Sequence, residues 1–376
     1  MIKVLFVIHD LSVGGAEKVL VNLVNNMDYK KFDITVLALF DEGVNKQFLN
    51  RNVKYRYVFK KAIKGNSHLL KLLSPRLLYK CLIPKGADVI VSYLEGPVAR
   101  IISGAKEDDT YIVSWIHCTM HSQNELSIGF RNYKEALSVY RKFDAMAFVS
   151  KEVEEAFRKV CKVSCKTYVL YNTNDSNKII KESQQCIVDP RWNKEEKVFR
   201  WCGVGKIVKN KAFDRMVRIQ KRLIEEGYKT HLYILGTGDQ EERIKQWCKN
   251  NRINNNVTFL GYQINPYQFI ANCDLYVCAS YSEGFSTATT EALILGTPVC
   301  TVKVSGMKEM LEDGKYGLIT DNDEEALYQG IKMLLNEPDL LQYYRKQAEI
   351  RGKDFSTKKT VHAVEEMLQA MALERK

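Results

Sequence analysis

At 376 residues and a net charge of +11, the chain is long for a single hydrophobic core, so two domains are expected. No apolar run approaches the roughly 20 residues of a membrane span, and the opening MIKVLFVIHD meets an acid too early for a signal peptide, so a soluble, unprocessed protein is expected. Ten cysteines occur without one Cys-x-x-Cys pair, and several (Cys202, Cys278, Cys300) fall in apolar runs, which excludes a disulfide or zinc framework and reads as reduced packing residues in a cytosol. The chain opens with an apolar strand ending at His9, a glycine turn at Gly14 and Gly15, a helix with apolar Val19, Leu20, Leu23 and Val24 on one face, and a second strand from Phe32. This is a βαβ unit. Residues 51–85 follow, with ten Lys or Arg and no Asp or Glu. Lys60, Lys61, Lys64, Lys71, Arg76 and Lys80 are interleaved there with Leu69, Leu70, Leu72, Leu73, Leu77 and Leu78. The mixture suits an anionic membrane surface, and equally a solvated face held to its domain by leucines. No nucleic-acid motif accompanies it, so nucleic acid is not expected as a partner.

Further strands are predicted from Asp88, Tyr111, Ala145 and Thr167, most followed by a helical pattern, which implies a parallel sheet. Residues 173–196 lose this periodicity to Asn, Ser, Lys, Gln and Asp and read as a connection. A second winding places five strands at Phe199, Thr230, Val257, Asp274 and Pro298, alternating with helices. The expected organisation is α/β: a Rossmann-like first domain over 1–172, a linker over 173–196, a second domain over 197–353, and a C-terminal helix over 354–376 that packs back on the first domain.

The most informative stretch is SYSEGFSTATTEALILGTPVCTVKVSG, residues 280–306. It follows a buried strand and turns into a helix, so backbone N–H groups and the helix dipole attract an anion at the strand's carboxyl end. Glu283 is unsuited to an anion and suited to accepting hydrogen bonds from hydroxyls. A ligand both phosphorylated and rich in hydroxyls, such as a nucleotide sugar, satisfies both demands. The pattern S-x-x-E-G-F-x-x-x-x-x-E-A-x-x-x-G-x-P-V resembles the donor-site signature of the fourth glycosyltransferase family, retaining enzymes of the GT-B type. That resemblance implies two Rossmann-like domains facing a central cleft. It places Glu283 on the donor sugar and Glu291 on the nucleotide ribose, with Gly284, Phe285, Ser286 and Thr287 beside them.

Other segments resemble the same family. Gly205, Lys206 and Lys211 lie in a segment similar to its G-R-L-x-x-x-K, with lysine replacing arginine, so a point charge stands where a bidentate fork is usual. Two cations there would neutralise a departing diphosphate. Gly236 and Gly238 resemble the family's glycine turn near the nucleotide, and Gly261 and Tyr262 the backbone that reads the base. Ser12, Gly14, Gly15 and Glu17 resemble its S-x-G-G-A-E loop. His117 resembles its histidine at the donor sugar, and Glu95 is a candidate for the acceptor. The resemblance implies a hexosyltransferase that takes a nucleotide sugar, a UDP-sugar first, to a hydroxyl of a glycan or polyprenyl-linked acceptor in cell-surface polysaccharide synthesis. It would work in the cytoplasm, with a peripheral membrane contact through 51–85. With neither a D-x-D pair nor a His or Cys ligand cluster visible near the site, neither metal nor cofactor is expected. The rival readings are a non-catalytic partner that binds a nucleotide sugar or a membrane, and a sugar-nucleotide epimerase of the same form.

Overall fold

The strand order of each sheet decides where its ligands can bind. The computed structural model describes residues 1–12, 14–62, 70–105, 110–192, 195 and 197–374. Lys64 and Leu69 of the basic segment lie outside the described residues. The chain forms two compact units, Met1–Thr173 together with Thr357–Lys376, and Asn174–Ser356.

The first unit holds a seven-stranded parallel sheet in the order β3-β2-β1-β4-β5-β6-β7. Its strands are β1 (Ile2–Ile8), β2 (Phe32–Phe40), β3 (Lys54–Phe59), β4 (Val89–Ser92), β5 (Tyr111–Ile116), β6 (Ala145–Phe148) and β7 (Lys166–Val169). Helices cover both faces, so β4 and β6 are buried throughout and read as continuous apolar runs. β3 was not anticipated in the sequence. Its six residues, KYRYVF, include no buried position and no strict alternation, because the strand lies at the sheet edge. The C-terminal helix Thr357–Leu373 belongs to this unit, and Glu365 accepts from the Asp28 backbone N–H at 2.6 Å.

The second unit holds a six-stranded parallel sheet in the order β10-β9-β8-β11-β12-β13. Its strands are β8 (Phe199–Val204), β9 (Thr230–Leu235), β10 (Val257–Gly261), β11 (Leu275–Cys278), β12 (Val299–Val302) and β13 (Leu318–Thr320). The sequence reading found five of them; β13 is a three-residue edge strand, too short to show a period. Residues 173–196 are also more structured than expected. They contain the helix Ser176–Ser183, capped by Asp175 and anchored by buried Ile179, and Asn174 donates to Thr290 Oγ1 at 2.6 Å.

Each order reverses once, between β1 and β4 in the first unit and between β8 and β11 in the second. Loops leaving the carboxyl ends at such a switch point diverge to opposite faces and open a crevice. The loops concerned are those carrying Gly14 and Glu95 in one sheet, and Lys206, Lys211 and Glu283 in the other.

Candidate functional site

In the second unit, the chain leaves β11 at Cys278 and turns into the helix Thr287–Ile294, whose N-cap Ser286 accepts from Thr289 N at 3.3 Å. The nearly buried Glu283 carboxylate stands within this turn. One oxygen, Oε1, accepts from Lys211 Nζ at 2.6 Å and from Ser280 Oγ at 2.6 Å. Lys211 arrives on a single 3₁₀ turn, Lys209–Lys211, which the left-handed residue Ala212 (φ 51°, ψ 39°) converts into the helix Phe213–Glu225. Asn210 joins the two loops: its side chain donates to Ser282 O at 2.8 Å, and its carbonyl accepts from Tyr281 N at 2.8 Å. Below them Arg215 is buried, donating to Ala279 O at 3.3 Å and Asn322 Oδ1 at 2.9 Å with its guanidinium 4.6 Å from the centre of the Tyr281 ring. Lys211, Phe213, Met216, Tyr276, Ser280 and Glu283 line a recess of about 10 Å³, room for about one water. Cys278 Sγ lies 3.8 Å from Glu283 Oε1, and burial, then the neighbouring carboxylate, push its pKa up, so it stays a neutral thiol.

The sequence reading gave Lys211 to phosphate and Glu283 to sugar as separate tasks; the structure brings them together in one ion pair. Lys206 stands apart, exposed and without a side-chain partner among the described residues. Glu291 lies on the capped helix with its side chain buried. Phe285 is a packing residue, its ring edge-on to Phe355 at 5.8 Å. The glycines at the carboxyl ends of β8, β9 and β10 lie where three loops stack through their backbones: Gly205 N donates to Leu235 O at 2.9 Å, Ile207 N to Thr237 O at 2.8 Å and Gly236 N to Gly261 O at 2.8 Å. A Cβ on Gly236 would lie 1.9 Å from Gly205 O, and one on Gly238 would lie 2.1 Å from Ile207 O. Loop packing alone therefore demands both glycines. Tyr262, next to Gly261, projects into solvent.

In the first unit, Gly14 and Gly15 open the helix Gly15–Asn26, with Gly14 at the cap. Glu17 already occupies that helix end, since a Cβ on Gly14 would meet its Oε2 at 2.0 Å. Asp10, bonded by His9 Nδ1 at 2.7 Å and by Ser12 N at 2.8 Å, is lowered to about 2, the His9 bond being the largest cause. His117 is buried at the end of β5, with its ring 4.7 Å from Tyr93 and stacked 5.9 Å from Trp115. Burial lowers its pKa to about 3, so the imidazole is neutral at physiological pH. His117 Nε2, Tyr93 Oη, Trp115 Nε1 and Ser114 Oγ are all buried without a hydrogen-bond partner among the described residues. Glu95 spends its Oε1 on the backbone, accepting from His117 N at 2.8 Å and Cys118 N at 2.6 Å, so it braces the histidine's loop. Burial raises its pKa.

Sequence reasoning missed Ser280, Asn210, Arg215 and Tyr93. Only Ser280 had a signal, its S-x-x-E spacing from Glu283. Among the described residues, no group of three or more His, Cys, Asp or Glu could hold a metal ion, and no helix is long and apolar enough to cross a membrane.

Two family models match: Glycosyltransferase Family 4 over residues 13–178, and Glycosyl transferases group 1 over residues 187–351. A relative from Campylobacter jejuni, N-acetylgalactosamine-N,N'-diacetylbacillosaminyl-diphospho-undecaprenol 4-alpha-N-acetylgalactosaminyltransferase, is 26% identical over 93% of this chain and 94% of its own length. The capsular polysaccharide biosynthesis glycosyltransferase CapM of Staphylococcus aureus is 29% identical over 36% of this chain and 37% of its own. Among solved structures, HepE of Anabaena in complex with UDP and glucose superposes with a TM-score of 0.77 at 19% identity, covering 98% of this chain and all of that one, which gives the fold as GT-B. The two family models between them span nearly the whole chain, which belongs to the family 4 glycosyltransferases of the GT-B fold and is a glycosyltransferase of polysaccharide or glycolipid assembly.

Proposed function

We propose that the enzyme is a retaining hexosyltransferase that moves a sugar from a UDP-sugar to a hydroxyl of a lipid-linked or cell-surface glycan. The observation that carries this reading is the Lys211–Glu283–Ser280 cluster at the switch point of the second sheet. A cation there suits a diphosphate, and a carboxylate fixed by a neighbouring hydroxyl suits sugar hydroxyls. Support comes from HepE, solved with UDP and glucose, and from the Campylobacter relative, named for a diphospho-undecaprenol substrate.

In this reading the bond between the anomeric carbon and the diphosphate oxygen breaks as the acceptor hydroxyl approaches on the same face. The acceptor's proton passes to the leaving diphosphate oxygen, while Lys211 and Lys206 stabilise its charge. Glu283 orients the sugar and Glu291 holds the ribose. His117, neutral, bonds a sugar hydroxyl. The backbone of the Gly205, Gly236–Gly238 and Gly261–Tyr262 turns and of residues 284–287 lines the donor, and the Gly14–Gly15 turn of the first unit offers backbone amides to an anion. Catalysis is then positioning and electrostatics. No glycosyl-enzyme intermediate is assigned to either glutamate, and no metal is required.

The test is a panel of UDP-, GDP- and ADP-sugars scored for thermal stabilisation and nucleotide release, with and without a chelator, followed by NMR of the linkage. UDP-sugars should stabilise the protein and release UDP in chelator, and the product should keep the donor's anomeric configuration. An inverted product, or a preference for another nucleotide, would overturn the corresponding part. Epimerised donor in the absence of acceptor would favour the epimerase.

A further inference from the structure

We propose that residues 70–85 of the first unit form a docking face for an anionic lipid bilayer surface. Leu72 is 74% exposed, and Leu73 and Leu77 are each 45% exposed. Around them Lys71, Arg76, Lys80 and Lys85 supply four positive charges with no acid in the segment.

The exposure is built in. Arg100 is buried and paired with Glu135 at 2.9 Å, and its guanidinium donates to Leu70 O at 2.7 Å and Leu73 O at 2.8 Å. From the exposed side Arg131 donates to Lys71 O at 2.5 Å and Leu72 O at 2.9 Å. Two arginines thus hold the carbonyls of one short stretch and prevent its leucines from turning inward. The next helix, Pro75–Leu82, is fixed at its start by Ser74, which accepts from Leu77 N, and at its core side by buried Leu78. Arg76, Leu77, Lys80 and Cys81 are left facing solvent.

Leucines and cations mixed on one rigid face match a leaflet in which hydrocarbon lies just beneath negative headgroups. A nucleic acid would reward the cations and leave the leucines unused. The segment expected from the sequence to touch a membrane, 51–85, narrows accordingly: residues 54–59 are the edge strand β3, and 70–85 carry the contact. This inference stands apart from the donor reading, because none of these residues belongs to that site.

The experiment is vesicle flotation of the full chain with phosphatidylcholine alone and with phosphatidylcholine plus phosphatidylglycerol. The wild type should float with the anionic vesicles only, and less so as salt rises. Arg76→Gln with Lys80→Gln should weaken binding about 25-fold, at about fivefold per cation. Leu73→Ser with Leu77→Ser should weaken it even at low salt. Both variants should keep the wild-type thermal unfolding and UDP-sugar stabilisation, and Leu72→Trp should add blue-shifted emission when anionic vesicles are present. Equal flotation with neutral vesicles, absence of flotation, or variants that float like the wild type would overturn the proposal. So would binding to nucleic acid or to a protein partner without binding to vesicles.

Discussion

The two switch-point edges of this enzyme are organised by opposite means. In the second unit, Lys211, Glu283 and Ser280 answer one another's charge and hydrogen-bonding capacity, and Asn210 fastens the two loops that bear them. In the first unit, Tyr93, Ser114, Trp115 and His117 each keep a buried polar atom that no described protein group satisfies. Charge pairing orders one edge; desolvation tunes the other. An opposed pair holds its side chains in position and is exchanged for ligand contacts, whereas buried neutral groups keep hydrogen-bonding capacity that counts for more in a poorly hydrated setting. The comparison makes the second edge sensitive to loss of charge and the first sensitive to protonation.

The largest effect should come from splitting the pair. Glu283→Ala and Lys211→Ala are each expected to lower kcat/KM by about 100-fold or more, the scale of losing one charged group at a transition state. The double variant should be no worse than the poorer single one, because each single change strands the other's charge. Additive losses in a double-mutant cycle would mean that the two residues work separately, and the pairing would then be incidental to the reaction.

Next comes the frame that holds the second edge. Gly236→Ala pushes a methyl carbon to within 1.9 Å of a backbone oxygen at a φ of 134°. It should cost about 2–4 kcal/mol in urea unfolding, the range of a backbone clash combined with a strained conformation. If the variant is as stable as the wild type, the three stacked loops are not the rigid base inferred here.

The same contrast governs what the sequence reveals. Both sheets were legible because strands covered on two faces become apolar runs, and their carboxyl-edge loops follow from that. The edge strands were not: β3 is mostly exposed, and β13 has three residues. Helix Ser176–Ser183 was hidden by polar residues around a single buried isoleucine, Ile179. Glu283 and Lys211 stood out as residue types in a spaced pattern, but their ion pair spans 72 positions and depends on how two loops meet. Asn210 acts through backbone carbonyls, and Arg215 through one carbonyl and the distant Asn322 side chain, contacts that leave no local signature. Glu95 shows the converse: a carboxylate at a strand end looks like a ligand-binding group, and the structure directs it to two backbone N–H groups.

At the first edge the perturbation to use is acid. Burial holds the folded His117 at about 3, below the ordinary 6.5, so between those values the unfolded chain binds more protons than the folded one. Stability due to the neutral imidazole is therefore fully present above about pH 6.5 and is lost as pH falls toward 3. The slope is about 1.4 kcal/mol per pH unit inside that window. His117→Gln should remove this share of the acid sensitivity in urea titrations at successive pH values. An unchanged slope would show that the ring is not held neutral by its surroundings.

The smallest effect separates two lysines on one loop. Lys211 is paired and half-buried; Lys206 is exposed and unpaired among the described residues. A solvated cation near a diphosphate acts through a screened field, worth about 1 kcal/mol at low salt and less beyond a Debye length. Lys206→Ala should then lower kcat/KM for the nucleotide sugar about fivefold at low ionic strength, leave the unfolding midpoint unchanged, and converge on the wild type as salt is added. A fall in kcat that persists in high salt would put Lys206 in direct contact with the leaving group. In that case the paired lysine would serve mainly to hold Glu283, and the charge stabilisation at this edge would belong to the residue that is free to move.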